Sequence, residues 1–230
     1  MNVLCAGRMK EGKTSLAIWL ACQWSPGVII WDSRHMIDLE YVRHVCKAKE
    51  VTFVSNGEEL QDEINHESWI KGPIIFRPDA RRVNEDFEEL SNVLFDPPEK
   101  YSSAGFAIVV DEGAQLQSAN RIDPNLDRAV RQHPRSVLVI QTTHSLQDWS
   151  RPSKDLMSYL YCFRQVGRSL KAVVDYCDGD EDLEETIRSL PHHWCIRYSF
   201  EAIQGEETWV LINKPESWYK ERKSEEVYGD

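Results

Sequence analysis

Gly7-Arg8-Met9-Lys10-Glu11-Gly12-Lys13-Thr14 is the stretch that decides the fold. It fits the spacing G-x-x-x-x-G-K-[ST] without a mismatch. The apolar run Val3-Leu4-Cys5-Ala6 precedes it, and Ser15-Leu16-Ala17-Ile18-Trp19-Leu20-Ala21-Cys22, with the apolar face of a helix, follows. Strand, glycine-rich turn and helix in that order make a phosphate-binding loop. Gly7 and Gly12 are expected to take backbone torsions that a side chain forbids, so that successive N–H groups turn inward around a β-phosphate. Lys13 then reaches the β- and γ-phosphates as a point charge, and Thr14 offers a hydroxyl to Mg²⁺. The helix opening at Ser15 turns its positive end toward the anion. Gly7, Gly12, Lys13, Thr14 and Ser15 are therefore the nucleotide-binding candidates.

A nucleotide site needs a second element to hold the metal. Phe106-Ala107-Ile108-Val109-Val110 is a continuous apolar run, as in a strand buried on both faces of a parallel sheet, and it ends in Asp111-Glu112. At the carboxyl end of its strand, Asp111 suits a Walker B aspartate, holding Mg²⁺ beside the loop with Thr14. Glu112, one residue on, is expected to face the other way and to polarise a water for in-line attack on the γ-phosphate. A third run, Ser136-Val137-Leu138-Val139-Ile140, passes into Gln141-Thr142-Thr143-His144. Gln141 is the candidate for sensing the γ-phosphate. The alternative reading is that glutamine and threonines cap the following turn.

Length and composition fit one nucleotide-binding domain over 1–215 with a charged tail over 216–230. The chain has 230 residues, of which 41% are hydrophobic, enough to bury a full core. No segment approaches the roughly 20 uninterrupted apolar residues that span a bilayer. Because Met1-Asn2-Val3 runs straight into a strand, no signal peptide is expected, and the cytoplasm is the expected location. The six cysteines, Cys5, Cys22, Cys46, Cys162, Cys177 and Cys195, form no C-x-x-C pair and read as reduced packing residues. His192-His193-Trp194-Cys195 lacks a second ligand cluster, so zinc is not expected.

Extended and helical segments alternate along the chain, the pattern of a parallel sheet wrapped by helices. Val28-Ile29-Ile30-Trp31 before Asp32, Val51-Thr52-Phe53-Val54 and Pro73-Ile74-Ile75-Phe76 are expected strands, with helices over 58–64 and 86–94. Beyond the Gln141 strand, 159–164, 170–174 and 208–212 look strand-like and 181–190 helical. The fold class is α/β: a RecA-like P-loop NTPase with a mostly parallel sheet flanked by helices and added strands toward the C-terminus.

Several nucleotide-using classes are excluded. No N-K-x-D guanine-reading motif is present, the chain is too short for a second RecA-like domain, and Arg164-Gln165-Val166-Gly167-Arg168 is a thin match to a kinase lid. The two carboxylates point to an oligomeric ATPase. Taken together, the N-terminal P-loop, the strand into Asp32, the strand into Asp111-Glu112-Gly113 and the strand finishing in Gln141-Thr142-Thr143-His144 resemble the FtsK–HerA superfamily over residues 1–149. The small size is similar to viral genome-packaging ATPases. The resemblance implies an ATP- and Mg²⁺-dependent motor assembled as a ring around double-stranded DNA, with a viral capsid or portal as a further partner. In such a family the sensor strand lies between the P-loop and Walker B strands. An arginine finger acts in trans.

No arginine within the motifs is placed to reach its own γ-phosphate, which also asks for one from a neighbour. Arg131 is the leading candidate, with Arg77, Arg81 and Arg82 as the others. A net charge of −11 opposes DNA binding by the whole surface. A ring motor touches DNA with few residues, however, and Arg121, Arg128, Arg131 and Arg135 cluster in sequence between the second and third motifs. Asp178, Asp180, Glu181, Asp182, Glu184 and Glu185 carry much of the acidic excess and suit a helix start. The other reading is an ATP-gated assembly or morphogenesis protein that does not contact nucleic acid.

Overall fold

The computed structural model describes residues 1–66, 72–95, 105–113, 116–133, 136–179, 181–202 and 208–213. In chain order the strands are β1 (Asn2–Ala6), β2 (Gly27–Asp32), β3 (Thr52–Val54), β4 (Ile74–Phe76), β5 (Phe106–Asp111), β6 (Gln117–Ser118), β7 (Arg121–Ile122), β8 (Val137–Thr143), β9 (Tyr159–Phe163), β10 (Cys195–Ser199) and β11 (Trp209–Ile212). The helices are α1 (Lys13–Trp24), α2 (Leu39–Cys46), α3 (Gly57–Asn65), α4 (Val83–Phe95), α5 (Pro124–Gln132), α6 (Arg151–Asp155), α7 (Gly167–Tyr176) and α8 (Glu181–Ser189).

The apolar runs pair as continuous burial requires. Nine strands form one sheet in the order β11-β10-β9-β1-β8-β5-β2-β4-β3. Pairing is parallel from β3 through β9, and β10 and β11 add antiparallel strands at one edge. β8 lies between the P-loop strand and the Walker B strand, as the resemblance implies. Buried residues fill both faces. On one side Leu16, Ile18 and Ala21 of α1 pack on Cys5, Val109 and Ile140; on the other, Leu60, Phe87 and Leu90 pack on Trp31, Phe76 and Ile108. Trp31 stacks on Phe76 and meets Phe87 edge-on, each at 5.1 Å between centroids. Helix starts are capped by side chains: Asp38 accepts from Tyr41 N, Asn56 from Glu59 N, and Asp123 from Asn125 N and Leu126 N.

Two expectations change. Residues 170–174, strand-like in composition, lie inside α7; Leu170 and Val173 are its buried positions and Cys177, the residue capping its end, continues the same stripe against α8 and the sheet. Cys22 and Cys46 are disulfide-bonded rather than reduced, because α1 and α2 pack side by side and bring these positions to a Cα separation of 5.4 Å. Cys5, Cys162, Cys177 and Cys195 are free and buried. The acidic run becomes the first turn of α8, with Glu181, Asp182 and Glu184 there. Asp180, Arg135 and the boundary at 215–216 lie outside the described residues. Among the described residues, no helix is long and apolar enough to cross a membrane.

Candidate functional site

The phosphate loop is shaped by its two glycines in different ways. Gly12 has φ 105°, a left-handed conformation that only glycine takes without strain, and from there α1 starts with no side chain capping it. Gly7 is needed for space: a Cβ there would stand 2.6 Å from Cβ of Phe163 at the end of β9. Its N–H donates to Thr143 O at 3.1 Å, tying the loop to β8. Glu11, buried inside the loop, is held by Arg164 Nη2 at 3.1 Å and His192 Nδ1 at 3.0 Å. Burial would raise its carboxyl, but these partners outweigh that and hold it below the ordinary carboxylate range. The histidine pair before β10 thus braces the loop.

Lys13, Thr14, Asp111 and Glu112 converge on one cavity of about 390 Å³, whose walls also include Gly12, Ser15, Arg34, His144 and His193. Lys13 is buried; its Nζ donates to Arg8 O at 2.9 Å and lies 3.2 Å from His144 Nδ1. Burial pulls its pKa down against the opposing pull of Glu112 and Asp111. Thr14 Oγ1 donates to Asp111 Oδ1 at 2.7 Å, and Thr142 Oγ1 donates to the same oxygen at 2.9 Å. Burial raises the Asp111 pKa, partly offset by these two hydroxyls. A hydroxyl and a carboxylate side by side are hard oxygen donors. They fit Mg²⁺, which takes one or two protein ligands and completes its shell with waters and phosphates.

Glu112 departs from the alternation of its strand. Continued extension would carry it to the face of Val110, but its φ of 46° ends the strand and returns the carboxylate to the pocket of Asp111. Its N–H donates to Thr142 Oγ1 at 2.9 Å. Its carboxylate ion-pairs with Arg34 through one oxygen and contacts the His144 imidazole Nε2 through the other.

Gln141 does not reach this pocket. Leu138 and Ile140 pack with α1, so the next residues of that parity, Thr142 and His144, come to the phosphate side. Gln141 points to the opposite face, fully buried, where its Oε1 accepts from Gln117 Nε2 at 2.7 Å. Gln117 Oε1 in turn accepts from Ser150 Oγ at 2.8 Å. Gln141→Ala should therefore act through stability. It leaves the buried Gln117 amide without its acceptor, at a cost of about 1–3 kcal/mol, and a melting curve should fall by several degrees. Unchanged melting with lost turnover would restore the sensing role.

The arginine candidates sit elsewhere. Arg131 pairs with Asp127 at 2.7 Å on the exposed side of α5, and Arg82 lies 3.6 Å from Asp86 and 3.4 Å from Glu89. Arg81, between β4 and α4, donates its N–H to Asp79 Oδ1 at 2.8 Å. Arg77 is bound to Asp32 at 3.0 Å. Arg34, Thr142 and His144, which the sequence reading gives no role at the phosphate, are also brought to the site. Strand parity from Ile140 would have found the last two; Arg34 shows only once β2 is known to lie beside β5.

The arrangement of loop, strand order and paired carboxylates admits one assignment. The fold is that of a P-loop NTPase. Among solved structures, the genome-packaging NTPase B204 from Sulfolobus turreted icosahedral virus 2 in complex with ATP-gammaS aligns with a TM-score of 0.67 at 16% identity. The alignment covers 92% of this chain and 96% of that one. The same protein with AMPPCP gives 0.66. VirB4 of Thermoanaerobacter pseudethanolicus aligns at 0.57 with 14% identity, over 95% of this chain and 91% of that one. No protein-family model matches the sequence, and no curated protein matches it.

Proposed function

We propose that this chain is an ATP-hydrolysing motor of the FtsK–HerA type that translocates or packages double-stranded DNA. The observation that carries the ATPase reading is the convergence of Lys13, Thr14, Asp111 and Glu112 on one cavity at the mouth of the glycine loop. Lys13 neutralises the β- and γ-phosphates. Thr14 and Asp111 would hold Mg²⁺, which would supply further positive charge to the phosphate oxygens. Glu112 accepts a proton from a water whose oxygen bonds to the γ-phosphorus as the bridging P–O bond to ADP breaks.

The DNA reading is supported by the fold shared over most of both chains with a viral genome-packaging NTPase. In a ring, a few cations per subunit suffice for the track. Arg121 on β7 is exposed, and Arg128 stands over the Phe95 ring at 4.0 Å. A capsid or portal would dock the ring, and the host cytoplasm would be its place of work. The deciding experiment measures ATPase rate with and without duplex DNA alongside the mass of the assembly. The expected result is a ring whose rate rises several-fold on DNA, with a stimulation that falls as salt is raised. Hydrolysis indifferent to DNA at every salt concentration would point instead to an ATP-gated assembly protein.

A further inference from the structure

The sequence motifs offer no arginine for the γ-phosphate of their own site. The fold does. Arg34 lines the phosphate pocket together with Lys13, Asp111 and Glu112 and is ion-paired with Glu112.

Its position is built by the turn after β2. β2 lies beside β5 with Asp32 opposite Asp111, so the residues after Asp32 start next to the Walker B carboxylates. The buried Asp32 carboxylate accepts from Met36 N at 3.0 Å and Ile37 N at 3.1 Å, which curls the chain back on itself. Arg77 locks the turn from outside: its Nε donates to Asp32 at 3.0 Å and its Nη2 to Ile37 O at 2.7 Å. His35, left-handed at φ 54°, lies with Nε2 3.1 Å from Pro78 O. Residue 34 is therefore fixed through its backbone. Its side chain is 50% exposed, so the guanidinium can change partner while the turn stays in place.

Its present partner is the carboxylate read as the base. Arg34 sits on one Glu112 oxygen and His144 on the other, each taking one of that oxygen's two acceptor positions. A terminal phosphate beside Lys13 would place new negative charge in the same cavity, and a guanidinium spans two phosphate oxygens as well as it spans a carboxylate. We propose that Arg34 is the arginine of its own site: it exchanges Glu112 for the γ-phosphate of bound ATP. The exchange sets positive charge on the transferring phosphoryl group and frees, for the attacking water, the acceptor position that Arg34 holds on Glu112. Atoms balance as for hydrolysis, with the water oxygen joining the γ-phosphorus, ADP leaving with the bond electrons and the proton passing to Glu112. The inference rests on the ATPase reading and replaces only the neighbour's arginine; a ring for DNA movement is compatible with it.

The test uses the full chain and the variants Arg34→Ala and Arg34→Lys. Dissociation constants for Mg²⁺-ATPγS and for ADP, melting temperature, and ATPase rate across a hundredfold dilution are measured. Arg34→Ala should melt like the parent and bind ADP equally well. It should lose about 10-fold or more in ATPγS affinity, and its hydrolysis should slow by about 10³-fold. Arg34→Lys should regain part of the affinity and little of the rate, since an ammonium cannot span two oxygens. The parent's rate per molecule should stay flat on dilution. Parent-like rate and ATPγS preference in Arg34→Ala overturn the proposal. So does a parental rate that rises with concentration while Arg34→Ala keeps that rise, which would assign the arginine to a neighbour. A parent that binds neither nucleotide overturns the ATPase reading itself. A parent that binds without hydrolysing leaves the ATPγS-to-ADP ratio of the variants to decide.

Discussion

Lys13→Ala is expected to abolish tight nucleotide binding while the fold stays intact. The ammonium is buried beneath the glycine loop and points into the pocket from the first residue of α1. On the proposed reading it would make charge-assisted contacts to two phosphate groups, and losing two such contacts would remove about 3 kcal/mol or more, at least a hundredfold in Kd. Stability moves little because two effects oppose each other. Alanine leaves Arg8 O without its 2.9 Å donor, but it also removes an ammonium that burial already disfavours. Thermal shift separates binding from folding. Mg²⁺-ATP at a hundred times its Kd stabilises the parent by about 2.7 kcal/mol through mass action. The variant should melt near the parent without ligand and should not respond to it. A variant that still gains stability from Mg²⁺-ATP would mean that the phosphates bind outside the loop.

What the sequence disclosed and what it hid divide along one line: contacts set by local chain geometry were legible, and contacts set by strand order were not. The glycine loop is local, eight residues whose order alone implies strand, turn and helix, although the reason for Gly7 proved to be the approach of Phe163 from β9. The apolar runs from Val28, Ile74, Phe106 and Val137 were readable as parallel strands because burial on both faces leaves no polar alternation to confuse them. The same composition misled at 170–174, where β-branched residues sit in a helix because tertiary packing overrides propensity. Gln141 is the polar residue ending an apolar strand, which is where a γ-phosphate sensor is expected in a sheet of this order. Parity from Ile140 assigns the phosphate side to Thr142 and His144 instead. Arg34 beside Glu112 and Cys22 beside Cys46 each join segments that only the packing of β2 on β5 or α1 on α2 brings together.

Glu112→Gln should bind ATP at least as well as the parent and turn it over at least a hundredfold more slowly. The isosteric amide keeps the left-handed backbone at φ 46° and the hydrogen bond from its N–H to Thr142, so the end of β5 holds its shape. Two things change. The pocket loses one negative charge, which would ease entry of a triphosphate beside Asp111, and the side chain loses the basicity with which, on the proposed reading, it would take a proton from water. Affinity and turnover therefore move in opposite directions, a split that a loosened fold would not produce, since unfolding lowers both. Equilibrium binding of ATP and a single-turnover measurement on the same preparation read the two quantities. The contrast with Glu112→Gly sharpens the assignment. Glycine relieves the left-handed strain, worth about 1 kcal/mol or more, and should raise the melting temperature if the loss of the Arg34 and His144 pairs costs less than that. A slower enzyme that is no less stable would place Glu112 among residues whose strain is retained for chemistry. A Glu112→Gln protein with the parent's turnover would instead move the base to another group in the pocket, and His144 is the one whose imidazole already lies within reach of Lys13 and Glu112.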